Sequence, residues 1–196
     1  MTEADPNDVD IVLQFLERYG KVPLQAKEQF RAALQPSRIK KREELVSAGQ
    51  TCRQIWFAIS GVYRVYKLVD GKEFTSYFCY AERNPVVAAF ASLLLQRPSD
   101  ETLECIEEGQ LVSMSYANWE ELCSLFPEIS TIRWKLAEFN YLLALERISS
   151  LQHADSSYRY QCFLKQYPGL LNRIPHHYIA SYLGITPESL SRIRRK

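Results

Sequence analysis

The residues best suited to chemistry lie at the C-terminal end of the chain. The segment from Lys165 to Lys196 contains six lysines and arginines and one glutamate, so it carries a net charge of +5. The rest of the 196-residue chain carries −4. An acidic body with a basic end favours a polyanion partner such as nucleic acid at that end, although a solvated basic tail has the same composition.

Two short helices joined by a tight turn are predicted for this segment. Pro175 can open the first helix, since its missing N–H costs nothing in a first turn. Gly184 permits the turn, Thr186 is a good N-cap, and Pro187 takes the first position of the second helix. The apolar positions that would pack these helices are Ile179, Ala180, Leu183, Leu190 and Ile193.

This arrangement is typical of a DNA-binding helix-turn-helix. An ordinary corner between two helices satisfies the apolar pattern equally well, but it does not account for the polar and basic residues crowded on the outer side of the second helix. We therefore predict that DNA is contacted by Thr186, Ser189, Ser191, Arg192, Arg194, Arg195 and Lys196, with His176 on a phosphate.

Upstream, from about residue 39 to residue 115, short β-rich runs alternate with turn signals. Asp70-Gly71 lies between two aromatic and β-branched runs, which predicts a hairpin with a type I′ turn. Glu108-Gly109 predicts a second hairpin. The apolar run from Val86 to Leu95 is long for a strand and predicts a short buried helix. Together these elements indicate an antiparallel sandwich or barrel.

A long helix is predicted from Glu128 to Leu151, where no proline or glycine interrupts the pattern. Two apolar stripes on this helix require two partners, most simply the barrel and a second copy of the helix. The second stripe comprises Trp134, Tyr141, Leu145 and Ile148. The first has coiled-coil spacing, and we assign it to a dimer interface formed by Ile129, Ile132, Leu136, Phe139 and Leu143.

Several classes of function are disfavoured by composition. The five cysteines form no C-x-x-C pair, and all three histidines lie in the last quarter of the chain, which argues against iron–sulfur, zinc and cupin-type metal sites. Few glycines are present for a phosphate loop. We therefore predict no catalytic residues, no metal, no cofactor and no enzymatic activity. The acidic N-terminus and the lack of a long apolar run predict a cytoplasmic protein.

We predict an α+β fold with three parts: residues 1–126 as a jelly-roll sensor barrel preceded by helices, residues 127–152 as a dimerisation helix, and residues 153–196 as a helix-turn-helix domain. The segments IWFAISGVYRVYKLVDGKEFTSYF and YLGITPESLSRIRRK within this order resemble the cyclic-AMP receptor protein and fumarate-nitrate regulator (CRP/FNR) family of bacterial transcription factors. The resemblance spans residues 9–196.

The resemblance implies that Glu188 and Arg192 read base edges, because they match positions of an Arg-Glu-x-x-Gly-Arg recognition pattern. Pro187 replaces the first arginine of that pattern, so the usual operator sequence of the family is not expected. The implied partners are double-stranded DNA with a palindromic operator, a second copy of the chain, RNA polymerase and an effector of unknown identity.

The effector region departs further from the family. It lacks the Gly-Glu pair that holds a ribose, and Ser99, Asp100, Glu101 and Thr102 stand where an Arg-Ser or Arg-Thr pair would hold a cyclic phosphate. Because carboxylates repel a phosphate, we predict that cyclic AMP does not bind. The candidate pocket residues are Arg83, Asn84, Arg97 and Ser99, for which solvated loop positions are the alternative. The predicted function is a dimeric DNA-binding transcription regulator; the alternative is a ligand-binding barrel protein with a vestigial DNA-binding end.

Overall fold

The computed structural model describes residues 6–153 and 155–195. The helices are α1 (Pro6–Glu17), α2 (Leu24–Ala33), α3 (Phe90–Leu95), α4 (Tyr116–Leu125), α5 (Pro127–Gln152), α6 (Ser156–Gln166), α7 (His176–Leu183) and α8 (Pro187–Arg194). The strands are β1 (Gln35–Ile39), β2 (Glu44–Val46), β3 (Gln54–Ala58), β4 (Val62–Val69), β5 (Lys72–Tyr80), β6 (Val86–Val87), β7 (Thr102–Glu107) and β8 (Gly109–Ser115). Within the described ranges, no helix is long and apolar enough to cross a bilayer.

The strands form two antiparallel four-stranded sheets, in the orders β1-β8-β3-β6 and β2-β7-β4-β5. Their inner faces enclose a core of aliphatic and aromatic side chains, which α1, α2 and α4 close at one end. Trp119 of α4, for example, packs at 6.0 Å from the ring of Phe30 in α2 and 6.3 Å from Phe57 in β3. The predicted α+β class and the barrel are confirmed.

The first predicted hairpin is confirmed, and the second is wrong. Strands β4 and β5 pair around Asp70 and Gly71, whose φ angles of 51° and 73° suit a type I′ turn. Strands β7 and β8 lie in different sheets, although only Glu108 separates them. Gly109 explains this crossing, since a Cβ there would lie 2.2 Å from the carbonyl oxygen of Ser60. The chain therefore passes against the β3–β4 connection and changes sheet.

The apolar run from Val86 to Leu95 divides into two elements. Val86 and Val87 form the short strand β6 at a sheet edge, and the predicted helix is confined to α3. Leu93 is buried in the barrel core, whereas Leu94 and Leu95 are exposed.

The N-terminal half of α5 packs inside the protomer. Ile129, Ile132 and Leu136 are buried in the barrel core, and Lys135 Nζ donates a 2.7 Å hydrogen bond to the backbone carbonyl of Tyr19. The assignment of Ile129, Ile132 and Leu136 to a dimer interface is therefore wrong, because the chain's own core already covers them. The other two assigned residues, Phe139 and Leu143, are half-buried.

A second apolar core joins the C-terminal helices to the barrel. This core is formed by side chains of the C-terminal segment packed against the outer face of the β2-β7-β4-β5 sheet. The C-terminal segment contributes, among others, Phe163, Tyr167, Tyr182 and Leu183, and the sheet contributes Val62, Phe78, Tyr80 and Ile106. The ring of Phe78 lies 5.5 Å from Tyr167 and 5.6 Å from Tyr182, so the helical segment is docked on the sheet.

Candidate functional site

Helices α7 and α8 form the predicted helix-turn-helix. Gly184 adopts a left-handed conformation with φ 64°, which ends α7 and admits the turn. Thr186 caps α8 by accepting a 3.3 Å hydrogen bond from the backbone N–H of Ser189, and Pro187 occupies the first turn. Ala180 and Leu190 are buried where the two helices cross. These contacts fix the orientation of α8 relative to α7.

The outer face of α8 presents the predicted DNA-contacting side chains to solvent. The exposed side chains are those of Glu188, Ser191, Arg192, Arg194 and Arg195. Thr186 and Ser189 form the N-terminal cap of the helix. Glu188 and Arg192 are four residues apart and share one face of the helix. Lys196, also predicted to contact DNA, lies outside the described residues.

Local hydrogen bonds set the charge and orientation of these groups. The backbone N–H of Glu188 and the Thr186 hydroxyl hold the pKa of the Glu188 carboxyl below its usual value, so it is ionised near neutral pH. Arg192 Nη2 donates a 3.2 Å hydrogen bond to Ser189 Oγ. An ionised acceptor and a guanidinium donor thus lie on one face of α8, and in protein–DNA complexes groups of these two kinds pair with cytosine and guanine edges.

His176 lies at the start of α7, beside the end of α8. Arg194 Nη1 is 2.9 Å from His176 Nδ1, and both side chains are exposed. This contact draws Arg194 towards α7 and away from Arg192. A phosphate contact by His176 stays a prediction.

Docking of α7 on β5 involves polar as well as apolar contacts. Ser181 Oγ accepts a 2.9 Å hydrogen bond from the backbone N–H of Thr75 and donates a 2.7 Å hydrogen bond to the backbone carbonyl of Glu73. Arg173, which precedes α7, pairs with Glu107 at 2.8 Å and Glu82 at 2.9 Å. The helix-turn-helix is therefore anchored to the sheet at both ends of α7.

A buried arginine that the sequence analysis did not single out joins barrel and helix-turn-helix. The Arg64 guanidinium lies 4.1 Å from the ring centre of Tyr66 and 3.7 Å from that of Tyr178 in α7. Its Nε and Nη2 donate to Glu104 at 2.5 Å and Glu73 at 2.7 Å. The signal in the sequence was a charged residue with apolar and aromatic neighbours on both sides in the first half of β4.

The four predicted effector residues are not brought together. Arg83 and Arg97 are exposed, and Ser99 is buried but donates its hydroxyl hydrogen to the backbone carbonyl of Glu101 at 2.8 Å. Of the four, Asn84 is the one that lines the cavity described below. The structure therefore assigns Arg83, Arg97 and Ser99 to loop positions.

The acidic segment that replaces the expected phosphate-binding pair is partly buried. Glu101 is 8% exposed, and its Oε1 accepts a 2.8 Å hydrogen bond from Ser76 Oγ. Burial raises the pKa of Glu101, with the Ser76 hydroxyl opposing the rise. A carboxyl in this place offers no positive charge to a cyclic phosphate. Among the described residues, no cluster of three histidine, cysteine, aspartate or glutamate side chains is arranged to hold a metal ion.

A cavity of about 540 Å³ lies between the barrel, α3, α5 and the C-terminal helices. Barrel residue Tyr77, Phe90 of α3 and Tyr182 of α7 line it, together with one side of α5. Arg147 of α5 donates from Nη2 to the backbone carbonyl of Tyr182, linking α5 to the helix-turn-helix. Burial lowers the pKa of Arg147, yet an arginine stays protonated in proteins. Pattern reasoning did not find this cavity.

No family model matches the sequence. No curated protein matches it either. Solved structures do match. FixK2 from Bradyrhizobium japonicum has 18% identity and a TM-score of 0.71, with 83% of each chain covered. A protein assigned as a transcriptional regulator of the crp/fnr family from Eubacterium rectale has 19% identity and a TM-score of 0.69, with 89% of this chain and 82% of that one covered.

A third structure is the c-di-GMP responsive global regulator CLP of Xanthomonas campestris. It has 18% identity and a TM-score of 0.64, covering 86% of this chain and 88% of that one. The predicted resemblance to CRP/FNR regulators is confirmed at the level of the fold. At these identities, any activity has to be argued from the site itself.

Proposed function

We propose that this protein is a dimeric, sequence-specific DNA-binding transcription regulator. The observation that supports this most is the exposed face of α8, where an ionised Glu188 and Arg192 lie side by side on a capped helix. Arg195 extends the basic surface towards the phosphates. Residues 153–196 would be the DNA-binding domain, residues 127–152 the dimerisation helix and residues 1–126 the sensor. RNA polymerase is a candidate partner.

Dimerisation would use the exposed stripe of α5. Trp134 and Tyr141 are each 63% exposed, Leu145 is 42% exposed and Ile148 is 55% exposed. A contiguous apolar face of this kind on one helix is typical of a protein interface. A second copy packing the same face against it would make a two-fold dimer, which suits a palindromic operator.

The sensor would not respond to cyclic AMP. Asp100 and Glu101 occupy the place of the phosphate-binding pair. The neighbouring cation, Lys67, is already paired with Asp100 at 2.7 Å. Titration calorimetry with cyclic AMP should therefore give no saturation. Micromolar binding would show that this region had been misinterpreted.

Selection of bound sites from random duplex DNA tests the proposal directly. The expected product is a pair of inverted half-sites about one helical turn apart, since the two recognition helices of a dimer enter successive major grooves. The affinity for the selected site should fall steeply with salt because phosphate contacts release counterions. Failure to enrich any sequence, with only weak binding, would instead favour a ligand-binding protein whose DNA-binding end is vestigial.

A further inference from the structure

The cavity beside α5 extends along the helix, and we refer to it as the channel. Its wall on α5 runs from Arg133 to Arg147, which is about 20 Å of helix at 1.5 Å per residue. The volume of the channel is about 540 Å³. Ala137 and Ala144 line the space between the two arginines, where longer side chains would reduce it.

The lining of the channel is apolar and positively charged at both ends. Tyr77, Phe90 and Leu93 contribute hydrocarbon surface, and none of the described lining residues is an aspartate or glutamate. An apolar space with a few polar groups is typical of a small-molecule site. The polar side chains Ser76, Asn84 and Asn140 also line it, but each already donates a hydrogen bond within the protein, to Glu101, Cys79 and the backbone carbonyl of Leu136 respectively. A long, mainly apolar wall with a charged group at its end suits an extended hydrocarbon chain better than a sugar or a nucleotide.

The two arginines differ in how their charge is compensated. Arg133 forms an ion pair with Glu120 at 2.7 Å. Arg147 donates from Nη2 to the Tyr182 carbonyl, but its Nη1 is buried without a hydrogen-bond partner within the part of the chain that the structure describes. A buried cation that lacks a counter-charge is costly, so an anion placed beside Arg147 would be stabilised.

We propose that this channel binds a single-chain amphipathic carboxylate, with its head group on Arg147 and its hydrocarbon chain extending past Ala144 and Ala137. The carboxylate would accept a charge-assisted hydrogen bond from Nη1. Tyr141 and Ile148 line the channel and also belong to the exposed stripe of α5, so a second copy would close its open side. The regulatory part of the inference rests on the proposed function. Because Arg147 also holds Tyr182, the ligand would bias the position of α7 and α8.

Titration calorimetry on the full chain with dodecanoate tests the site. We expect one saturable site per chain. Dodecyltrimethylammonium, which has the same hydrocarbon chain and the opposite charge, should not bind. Hexanoate should bind at least about tenfold more weakly, since each methylene removed from water contributes to affinity. Absence of saturation by dodecanoate, or equal binding of the cationic analogue, would overturn the inference.

Substitutions locate the site. Arg147→Met should weaken dodecanoate binding about tenfold or more, whereas Arg147→Lys keeps the charge and should weaken it less. Ala144→Phe should abolish binding by filling the channel, which keeps the site testable if Arg147→Met does not fold. Arg18→Met, at an exposed arginine outside the channel, should bind as the unmodified chain does. Unchanged binding by Arg147→Met or Ala144→Phe would place the ligand elsewhere.

DNA binding separates this inference from the proposed function. Dodecanoate should change the affinity for the selected duplex in the unmodified chain and leave it unchanged in Ala144→Phe. A chain that binds dodecanoate but selects no DNA would refute the regulator and retain the ligand site. A chain that selects DNA but shows no saturable dodecanoate binding would refute the ligand site and retain the regulator.

Discussion

Arg192 lies in α8 and Arg195 is its C-cap residue, and the proposed DNA binding would use the two side chains differently. Arg192 shares a helix face with the ionised Glu188 and is oriented by Ser189. Arg195 is the C-cap residue of α8, so its exposed side chain lies at the C-terminal end of the helix. Base contacts provide sequence preference, whereas phosphate contacts position a protein without distinguishing sequences.

Replacing these two arginines should therefore have different consequences. Arg192→Ala should cost about 1–3 kcal/mol on the selected site and blur the preference at one base pair in each half-site. Arg195→Ala should weaken binding to specific and random duplexes alike. It should also reduce the slope of log affinity against log salt concentration by about one unit. Both variants can be titrated on the two duplexes at several salt concentrations. Equal losses on both duplexes for Arg192→Ala would make it another phosphate contact.

Arg64 is expected to contribute strongly to the stability of the protein. Its side chain is 2% exposed and Glu104's is 11% exposed, so removing the guanidinium leaves a carboxylate unpaired in a buried setting. Arg64→Met should lower the free energy of unfolding by about 3–5 kcal/mol, measured by urea denaturation. The matched control is Arg38→Met, since the Arg38–Glu108 pair is 64% and 47% exposed. That loss should stay below about 1 kcal/mol.

At the scale of elements, the turns were predictable from sequence and the long-range pairings were not. Asp70-Gly71 specifies its hairpin because the residues themselves favour positive φ. Glu108-Gly109 has the same local appearance, but Gly109 is required by close approach to Ser60 and Gly61, about fifty residues away in the sequence. Local patterns carry no information about such contacts, which decide the sheet that a strand joins.

Helix α5 illustrates the same limit. Periodicity revealed two apolar stripes but did not reveal which stripe the barrel covers. The choice depends on α1 and α4, and on Gly20, where a Cβ would lie 3.0 Å from Ile132 Cγ1. The cavity was equally invisible, since the space around Ala144 is set by α3 and the C-terminal helices. The residues of the helix-turn-helix were predictable because one continuous segment contains them all.

The proposed dimer contact through the exposed stripe of α5 can be tested by substitution. Leu145→Glu places a carboxylate in the middle of the stripe, and in a two-fold dimer the two carboxylates would face each other across a desolvated interface. Sedimentation analysis should then show a monomer. Leu95→Glu is a suitable control, because Leu95 is 59% exposed on α3 and lies outside the stripe. A Leu145→Glu protein that still sediments as a dimer would move the interface away from α5.

At the scale of the whole molecule, the barrel and the C-terminal helices share one apolar core. Phe78 belongs to a barrel strand, yet its ring lies 6.3 Å from Phe163 in α6 and 5.6 Å from Tyr182 in α7. Hydrogen bonds from Thr75 to Ser181 and the Arg64 contact with Tyr178 join the same surfaces. The position of α7 and α8 is therefore coupled to the integrity of the sheet beneath them.

This coupling predicts that the chain unfolds in one cooperative step. Trp56, Trp119 and Trp134 report on the barrel and α5, and amide hydrogen exchange in residues 156–194 reports on the C-terminal helices. Both signals should be lost at the same urea concentration. Phe78→Ala, which removes a fully buried ring from the shared core, should lower both midpoints together at a cost of about 3–5 kcal/mol.

Phe74→Ala on the same strand is the matched control. Phe74 is 46% exposed, so its loss should change the unfolding free energy by no more than about 0.5 kcal/mol. Earlier loss of exchange protection in α6 to α8, with the tryptophan signal unchanged, would mean that the two parts unfold independently. Phe78→Ala would then be expected to release the helix-turn-helix from the sheet, so that the barrel would no longer hold α8 in place.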